Sequence, residues 1–590
     1  MTAKLHFSPR PNRAGDIRWR DWGPDAFAEA AAGHKPVLLA ISAVWCHWCH
    51  VMDETSYSDE DVISLINQNF IPVRVDNDQR PDVNARYNMG GWPSTVVLTP
   101  EGEILRGGTY ISPEDMHPFL KQVSDLYGDP NNRLEFARRI AEIQAKRAQR
   151  TVAPASGALD PNTAPTLVRA LSDVFDDEYG GFGSEQKFPQ TDVLHFLLDS
   201  WSRTRDGRTQ TMVQMSLRAM ASGGMYDHVE GGFFRYSTTR DFSVPHFEKM
   251  LEDLGGLLLA CARASAMFGD APLGAIAVDV KRYLDASLWN RDRRGYGGSQ
   301  DADEEYYRLG ERGRKDAAAP YVDPTIYTSW NAEAAHALIV GGPLLAAAGV
   351  DAGAWVARGL EILDMLWSEL LVDGLMARYS DGAPHIRGLL GDQAWAAWAA
   401  LAAFSGTGDT RWLERSRVLL ENAGALYDEA ARAYLDRLPD AGEPGRVREP
   451  ATPLPENALM ARALLSLSAL TGQPSYAERG RAVLERFAAS YATMGIFAAS
   501  YGSAVLDALE PPLDVKIVGP KDDDGTRALR DQSLAIAAPP LRVNLIDSSD
   551  AARARSVHVE LAAQPTAYLC RAETCFARAT TPEMLRAELH

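Results

Sequence analysis

Hydrophobic and polar positions divide this chain into two regimes. Residues 35–44 (KPVLLAISAV) form a short apolar run that predicts a buried strand. Ser58-Asp59-Glu60-Asp61 then gives an acidic helix start ahead of Val62, Leu65 and Ile66. Residues 70–76 (FIPVRVD) predict a second strand. A third covers 94–98, after Gly90-Gly91-Trp92-Pro93, and a turn at 100–103 leads into a fourth. A helix over 113–127 closes an order of β-α-α-β-(α)-β-β-α. Residues 130–150 read as a charged helical connector, and 151–165 (TVAPASGALDPNTAP) as a Pro/Ala/Ser-rich boundary.

Beyond that boundary the period changes to that of long amphipathic helices. They are expected at about 164–176, 191–204, 208–222, 246–268, 272–289, 328–348, 351–371, 390–405, 409–427, 455–472, 474–494 and 496–509. Leu470-Thr471-Gly472 and Gly406-Thr407-Gly408-Asp409 supply stop and start signals between partners. Six helical hairpins with no parallel sheet between them predict an (α/α)6 toroid over 164–509, with a solenoid of hairpins as the rival. After residue 510 a smaller α/β pattern follows, with strands at 514–518, 542–546 and 567–570 and helices at 526–533 and from Thr581. The expected domains are therefore 1–128, a connector over 129–163, the toroid over 164–509, and a C-terminal α/β segment over 510–590 packed on it.

Composition bounds the class. With 590 residues, 46% apolar and 24% charged, the chain is a multidomain globular protein. A formal charge of −19 opposes a nucleic-acid footprint, which needs a basic patch. The polar, basic opening carries no secretory leader pattern, and no apolar run is expected to span a bilayer. Five cysteines make no disulfide framework, so the cytoplasm is the expected compartment.

The chemistry concentrates in Trp45-Cys46-His47-Trp48-Cys49-His50, where the first strand hands over to a helix. Two thiols two residues apart can close a small disulfide ring. Cys46, Cys49 and His50 could also hold half a zinc site, although no second Cys-x-x-Cys exists to complete one. A helix N-terminus favours the thiolate at Cys46, the form that attacks disulfides, and Cys49 one turn later would resolve the adduct. The strand order and Pro93, just before the third strand, resemble a thioredoxin domain, in which that proline is cis. Ordinary thioredoxins also carry a buried acid on the first central strand. Here that strand has none, so proton handling falls to His47, His50 or water. Trp45 and Trp48 read as packing residues. Cys261, in an apolar helix, reads as inert, while Cys570 and Cys575 could pair or remain small apolar residues.

The toroid loops mix aromatics, Arg, His and acids, as a carbohydrate pocket does. The candidates are Lys187, Asp227, Arg235, Tyr236, His246, Glu248, Lys249, Asp301 and Asp303. For any single acid, helix capping and loop knitting is the competing role.

Several motifs resemble the thioredoxin-domain proteins related to spermatogenesis-associated protein 20. They are Cys46-His47-Trp48-Cys49-His50-Val51-Met52, Arg80-Pro81-Asp82, Gly90-Gly91-Trp92-Pro93, Lys187-Phe188-Pro189, Pro245-His246-Phe247-Glu248-Lys249-Met250 and Asp301-Ala302-Asp303. The resemblance implies a thioredoxin-like domain joined to a six-hairpin glycosidase-like domain. Phe242 stands where the family usually has Trp, and Glu252-Asp253-Leu254-Gly255 where it usually reads Tyr-Asp-Asn-Ala. The expected function is thiol-disulfide exchange through Cys46 and Cys49, with Trp92 and Pro93 shaping the docking groove and the toroid selecting substrate. A carbohydrate-active hydrolase or epimerase and a non-catalytic scaffold are the alternatives. No cofactor is expected. The expected partners are a disulfide substrate or thiol reductant, and a carbohydrate-like molecule in the funnel.

Overall fold

The computed structural model describes residues 6–149, 156–571 and 574–589, so the first part of the expected boundary, 150–155, lies outside the described residues. The chain forms two compact units. The first comprises Met1–Ala153 together with Asp301–Asp303 and Arg437–Ala451; the second holds the remainder.

In the first unit the helices are α1 (Pro24–Gly33), α2 (His47–Glu54), α3 (Glu60–Asn69), α4 (Pro81–Tyr87), α5 (Pro113–Gly128) and α6 (Pro130–Gln149). The strands are β1 (Val37–Ser42), β2 (Ile71–Asp76), β3 (Ser94–Leu98) and β4 (Ile104–Gly108), in the order β2-β1-β3-β4. β1 pairs parallel with β2 and antiparallel with β3, as the thioredoxin order requires. The apolar runs are buried on both faces. Val37, Leu39 and Ile41 pack on one side and Leu38 and Ala40 on the other. Arg437–Ala451 belongs to this body: Arg437 pairs with Asp82 at 2.6 Å, Arg80 joins Asp82 and Glu443, and Arg446 pairs with Glu103. The Arg80-Pro81-Asp82 motif is thus half of an ion-pair cluster that closes on residues more than 350 positions later. A Cβ on Gly102 would come within 2.3 Å of Gly445 Cα, so the two backbones meet without room for a side chain.

Among the described residues of the second unit, twelve long helices match the twelve expected. α8 (Thr191–Thr204), α10 (Leu251–Phe268), α14 (Thr328–Ala347), α16 (Leu390–Thr407), α18 (Leu454–Thr471) and α20 (Ala499–Leu509) contact one another in that order, and α20 returns to α8. The ring is closed, which decides for the toroid over the solenoid. Outside it lie α7 (Thr163–Val174), α9 (Gly207–Ser222), α11 (Ala271–Tyr283), α15 (Trp355–Glu369), α17 (Thr410–Asn422) and α19 (Pro474–Phe487); the short α12 (Glu304–Tyr307) and α13 (Glu311–Asp316) sit in a connection. Inner helices such as α14 and α16 are apolar nearly all round because neighbours cover every side, whereas α15 and α17 carry one apolar stripe. Gly408 and Gly472 stop α16 and α18 in the left-handed conformation, as their sequence context predicts.

The differences from expectation have local causes. Residues 246–250 are not helical: Pro245–His246 and Lys249–Met250 form two-residue strands, pairing with Tyr236–Ser237 and Ser299–Gln300, so α10 starts only at Leu251. α15 starts at Trp355 and α19 ends at Phe487. The stretch Tyr491–Leu509 is long and apolar enough to cross a membrane, contrary to the expectation of no such run. Gly495 breaks it, however, and α20 has only 11 residues, against the roughly 20 a bilayer needs.

The C-terminal strands β5 (Leu513–Val518), β6 (Leu541–Ile546), β7 (Thr566–Arg571) and β8 (Thr574–Ala579) lie in the order β6-β5-β7-β8, with β5 and β6 parallel and the other pairs antiparallel. With α21 (Asp524–Leu534), α22 (Ala551–Ser556) and α23 (Pro582–Leu589), this segment repeats the strand order of the first sheet. Cys570 and Cys575 face each other across β7 and β8 and are disulfide-bonded. Cys261 is a free, buried thiol, and burial pushes its pKa up to about 12.

Candidate functional site

β1 ends one turn before α2, and that junction places the two thiols. Cys46 is the N-cap of α2, and its Sγ accepts the backbone N–H of Cys49 at 3.2 Å. This is the placement that favours negative charge on sulfur. The two cysteines are joined as a disulfide, with Cα atoms 5.2 Å apart and 3% and 2% exposure. The Trp92–Pro93 peptide is cis, as the thioredoxin resemblance implies. Trp45 is buried, donates to Asp78 at 2.7 Å and meets the Trp92 ring edge-on at 5.6 Å. Trp48 departs from its expected packing role. It is 45% exposed, touching His47 and Tyr110 by its ring, and so presents an aromatic surface beside the dithiol.

The strand acid is indeed absent, but two other carboxylates stand near the motif. Asp53, one turn beyond Cys49, is fully buried and receives Arg74 through both oxygens at 2.7 and 2.9 Å. Phe7 covers that guanidinium at 4.6 Å. Asp301 lies in the first unit, its Oδ2 3.5 Å from His50 Nδ1. His50 Nε2 is buried with no hydrogen-bond partner. Burial, reinforced by the neighbouring His6, pushes the His50 pKa down to about 4, so the imidazole is neutral at physiological pH. Cys46 and His50 are i and i+4 on α2 and share a face, and helical side chains lean toward the N-terminus. Among the described residues no group of three or more His, Cys, Asp or Glu side chains is placed to hold a metal ion. Cys46 and Cys49 bind each other and His50 faces Asp301, an arrangement unlike the half zinc site.

Residues 10–144 match the family Thioredox_DsbH, described as a protein of unknown function, DUF255. Spermatogenesis-associated protein 20 of Rattus norvegicus is 36% identical over 309 residues, 49% of this chain and 39% of that protein. The thioredoxin-like protein slr0233 of Synechocystis is 36% identical over 78 residues, 13% of this chain and 70% of that protein. Over about half of its length the chain is similar to the proteins named spermatogenesis-associated protein 20. It spans about two fifths of the length of the relatives of that name. Among solved structures, a sugar epimerase from a ruminal bacterium aligns with a TM-score of 0.44 at 16% identity, covering 56% of this chain and 87% of that one.

The toroid motifs singled out in the sequence are largely buried ion pairs. Lys187 is fully buried with Nζ 2.6 Å from Asp176. Asp227 accepts from Lys249 at 2.7 Å and Arg314 at 2.6 Å. Burial lowers the Lys249 pKa to about 8 in spite of that carboxylate. Glu248 lies 3.5 Å from Arg235 and 3.4 Å from His246, and Tyr236 stacks between Phe188 and His246, each 4.6 Å away. Asp303, like Asp301, falls in the first unit. Apart from these two, the side chains knit the loops ahead of α10, and none of the set lines the cavity inside the ring.

That cavity, of about 500 Å³, is walled by a different set, outside the candidates expected from the sequence. Asp192, Glu252, Glu333 and Glu456 stand in the first two turns of four inner helices. Deeper in, Asp199 takes Arg263 at 2.6 Å, and Asp507 takes Arg203 at 2.8 Å and Arg462 at 2.7 Å. The legible signal was an acid near the start of each of these core helices, the single acid of its helix at Glu333 and Glu456. Burial, with Asp192 and Glu252 nearby, pushes the Glu456 pKa up to about 7 from 4.5. Its contribution to stability is present below pH 4.5 and is lost as pH rises through about 7. Relative to wild type, Glu456→Gln should flatten the fall in melting temperature between those limits; identical pH profiles would rule this out.

Proposed function

We propose that the chain is a thiol-disulfide oxidoreductase working through Cys46 and Cys49. The observation that carries this is the Cys46 sulfur at the N-cap of α2, already accepting the Cys49 N–H. In the reducing direction the Cys46 thiolate attacks a substrate disulfide and expels one substrate thiolate. The Cys49 thiolate then attacks the Cys46 sulfur, releases the second substrate thiolate and closes the Cys46–Cys49 disulfide. An upstream thiol reductant, which the expected cytoplasmic setting supplies, returns both thiols. The loop carrying Trp92 and Pro93, with exposed Trp48, offers the docking surface, and the toroid domain selects the substrate. Wild-type protein should accelerate insulin-disulfide reduction by dithiothreitol; no acceleration at any pH between about 6 and 9 would overturn the reading.

Within this scheme His50 and Asp301 replace the missing strand acid. Asp301 orients the neutral imidazole, whose free Nε2 takes the proton from a thiol as it becomes nucleophilic. Asp301→Asn is therefore expected to raise the pH at which Cys46 alkylation reaches half its maximal rate. An unchanged alkylation profile would remove the pair from the mechanism.

A further inference from the structure

The acid end of the toroid cavity has a chemistry that thiol exchange does not use. Asp192, Glu252, Glu333 and Glu456 form no ion pair among the described residues. The four arginines of the same cavity are instead matched elsewhere, Arg203, Arg263 and Arg462 to Asp199 and Asp507, and Arg542 to Asp514. The four carboxylates feel one another: Glu252, Asp192 and Asp253 all raise Glu333. Glu456 Oε2 and His336 Nδ1 are buried polar atoms with no hydrogen-bond partner. Both residues line the cavity, as do the indoles of Trp395 and Trp398, and Trp398 lies 5.8 Å from the His336 ring. Gly255 and Gly256 on α10 make room for this arrangement. A Cβ on Gly256 would come within 3.2 Å of Glu333 Oε1 and 2.8 Å of Thr191.

Such a site suits a cation, beside which its buried acids ionise more readily. A metal ion does not suit it, because among the described residues the acids do not converge as metal ligands do. An organic cation does. Its ammonium group spreads over several carboxylates, while its body lies against indole faces, the combination that recognises amines elsewhere. A volume of about 500 Å³ is in the range of small-molecule sites. His195 is already committed, with its ring against the Gly256 carbonyl at 3.1 Å and Arg263 at 3.3 Å, and burial holds its pKa near 3, so no histidine cation competes.

We propose that the toroid cavity is a binding site for a small organic amine, held as its ammonium ion by Glu333 and Glu456 with Asp192 and Glu252, its body packed on Trp395. The site is independent of the dithiol, and its failure would leave the oxidoreductase reading untouched.

The test is calorimetric titration of the full chain with glucosamine, cyclohexylamine and glucose. Both amines are expected to bind, with glucose at least about tenfold weaker, since one lost charge contact of about 1.4 kcal/mol is a factor of ten. Glu333→Gln and Glu456→Gln, each shown folded by its melting curve, should weaken both amines severalfold, and the double variant about tenfold or more. Glucose binding as tightly as glucosamine, amine binding indifferent to both variants, or no binding of either amine would each overturn the proposal.

Discussion

Cys46→Ser is expected to reduce insulin-disulfide turnover to the uncatalysed rate, and Cys49→Ser to accumulate mixed disulfides in cell lysate. The two outcomes differ because the thiols have different tasks. A serine at 46 still caps α2, so the fold is kept, but at neutral pH its hydroxyl does not ionise and cannot attack sulfur. A serine at 49 leaves the attacking thiolate in place beside its helix terminus and removes only the escape route. Dithiothreitol-sensitive adducts on non-reducing gels should therefore appear with Cys49→Ser and vanish when Cys46→Ser is added. Equal adduct patterns in the single and double variants would mean that Cys46 is not the attacking thiol.

Arg74→Ala is expected to be the most damaging single change in the first unit. Arg74 and Asp53 are both buried and bonded through two short contacts. Removing the cation leaves an uncompensated carboxylate inside the fold, which costs about 3–5 kcal/mol. The arginine also bonds Ser42 and stacks under Phe7, so packing is lost with the charge. Asp53→Asn with Arg74→Met should recover most of that loss, because a pair replaced by neutral groups of similar size leaves no orphan charge. Urea unfolding followed by fluorescence measures both. A loss below about 1 kcal/mol for Arg74→Ala would show that the pair does not hold the unit together.

Much of this was legible in the sequence because it is local. The run at 35–44 is buried on both faces and so reads as continuous apolar residues, and β1 falls within it. The twelve helices announced themselves by period, and Gly408 and Gly472 by their place after the last apolar turn. α1 was missed, since its alanines carry little contrast between faces. Residues 246–250 were read as helix because their strand partners at 236–237 and 299–300 lie outside any local window. The cavity acids were passed over for a related reason. Asp227 and Glu248 sit in motif-rich loops that attract notice, whereas Glu333 and Glu456 are single acids in mainly apolar helices, and only ring closure brings them together. Asp301 beside His50 has no local signature at all, being 251 positions away from it.

The membership of Arg437–Ala451 in the first unit bears on how the protein is made. Asp82 keeps only one of its two guanidinium partners, and Tyr87 lacks its bond from the Arg446 backbone, until that segment exists. At about 5–20 residues per second, the ribosome reaches it roughly 15–60 s after residue 153 has been added. The oxidisable motif at 46–49 is therefore translated long before its own body is complete, so the nascent chain carries a reactive pair of thiols on an unfinished scaffold.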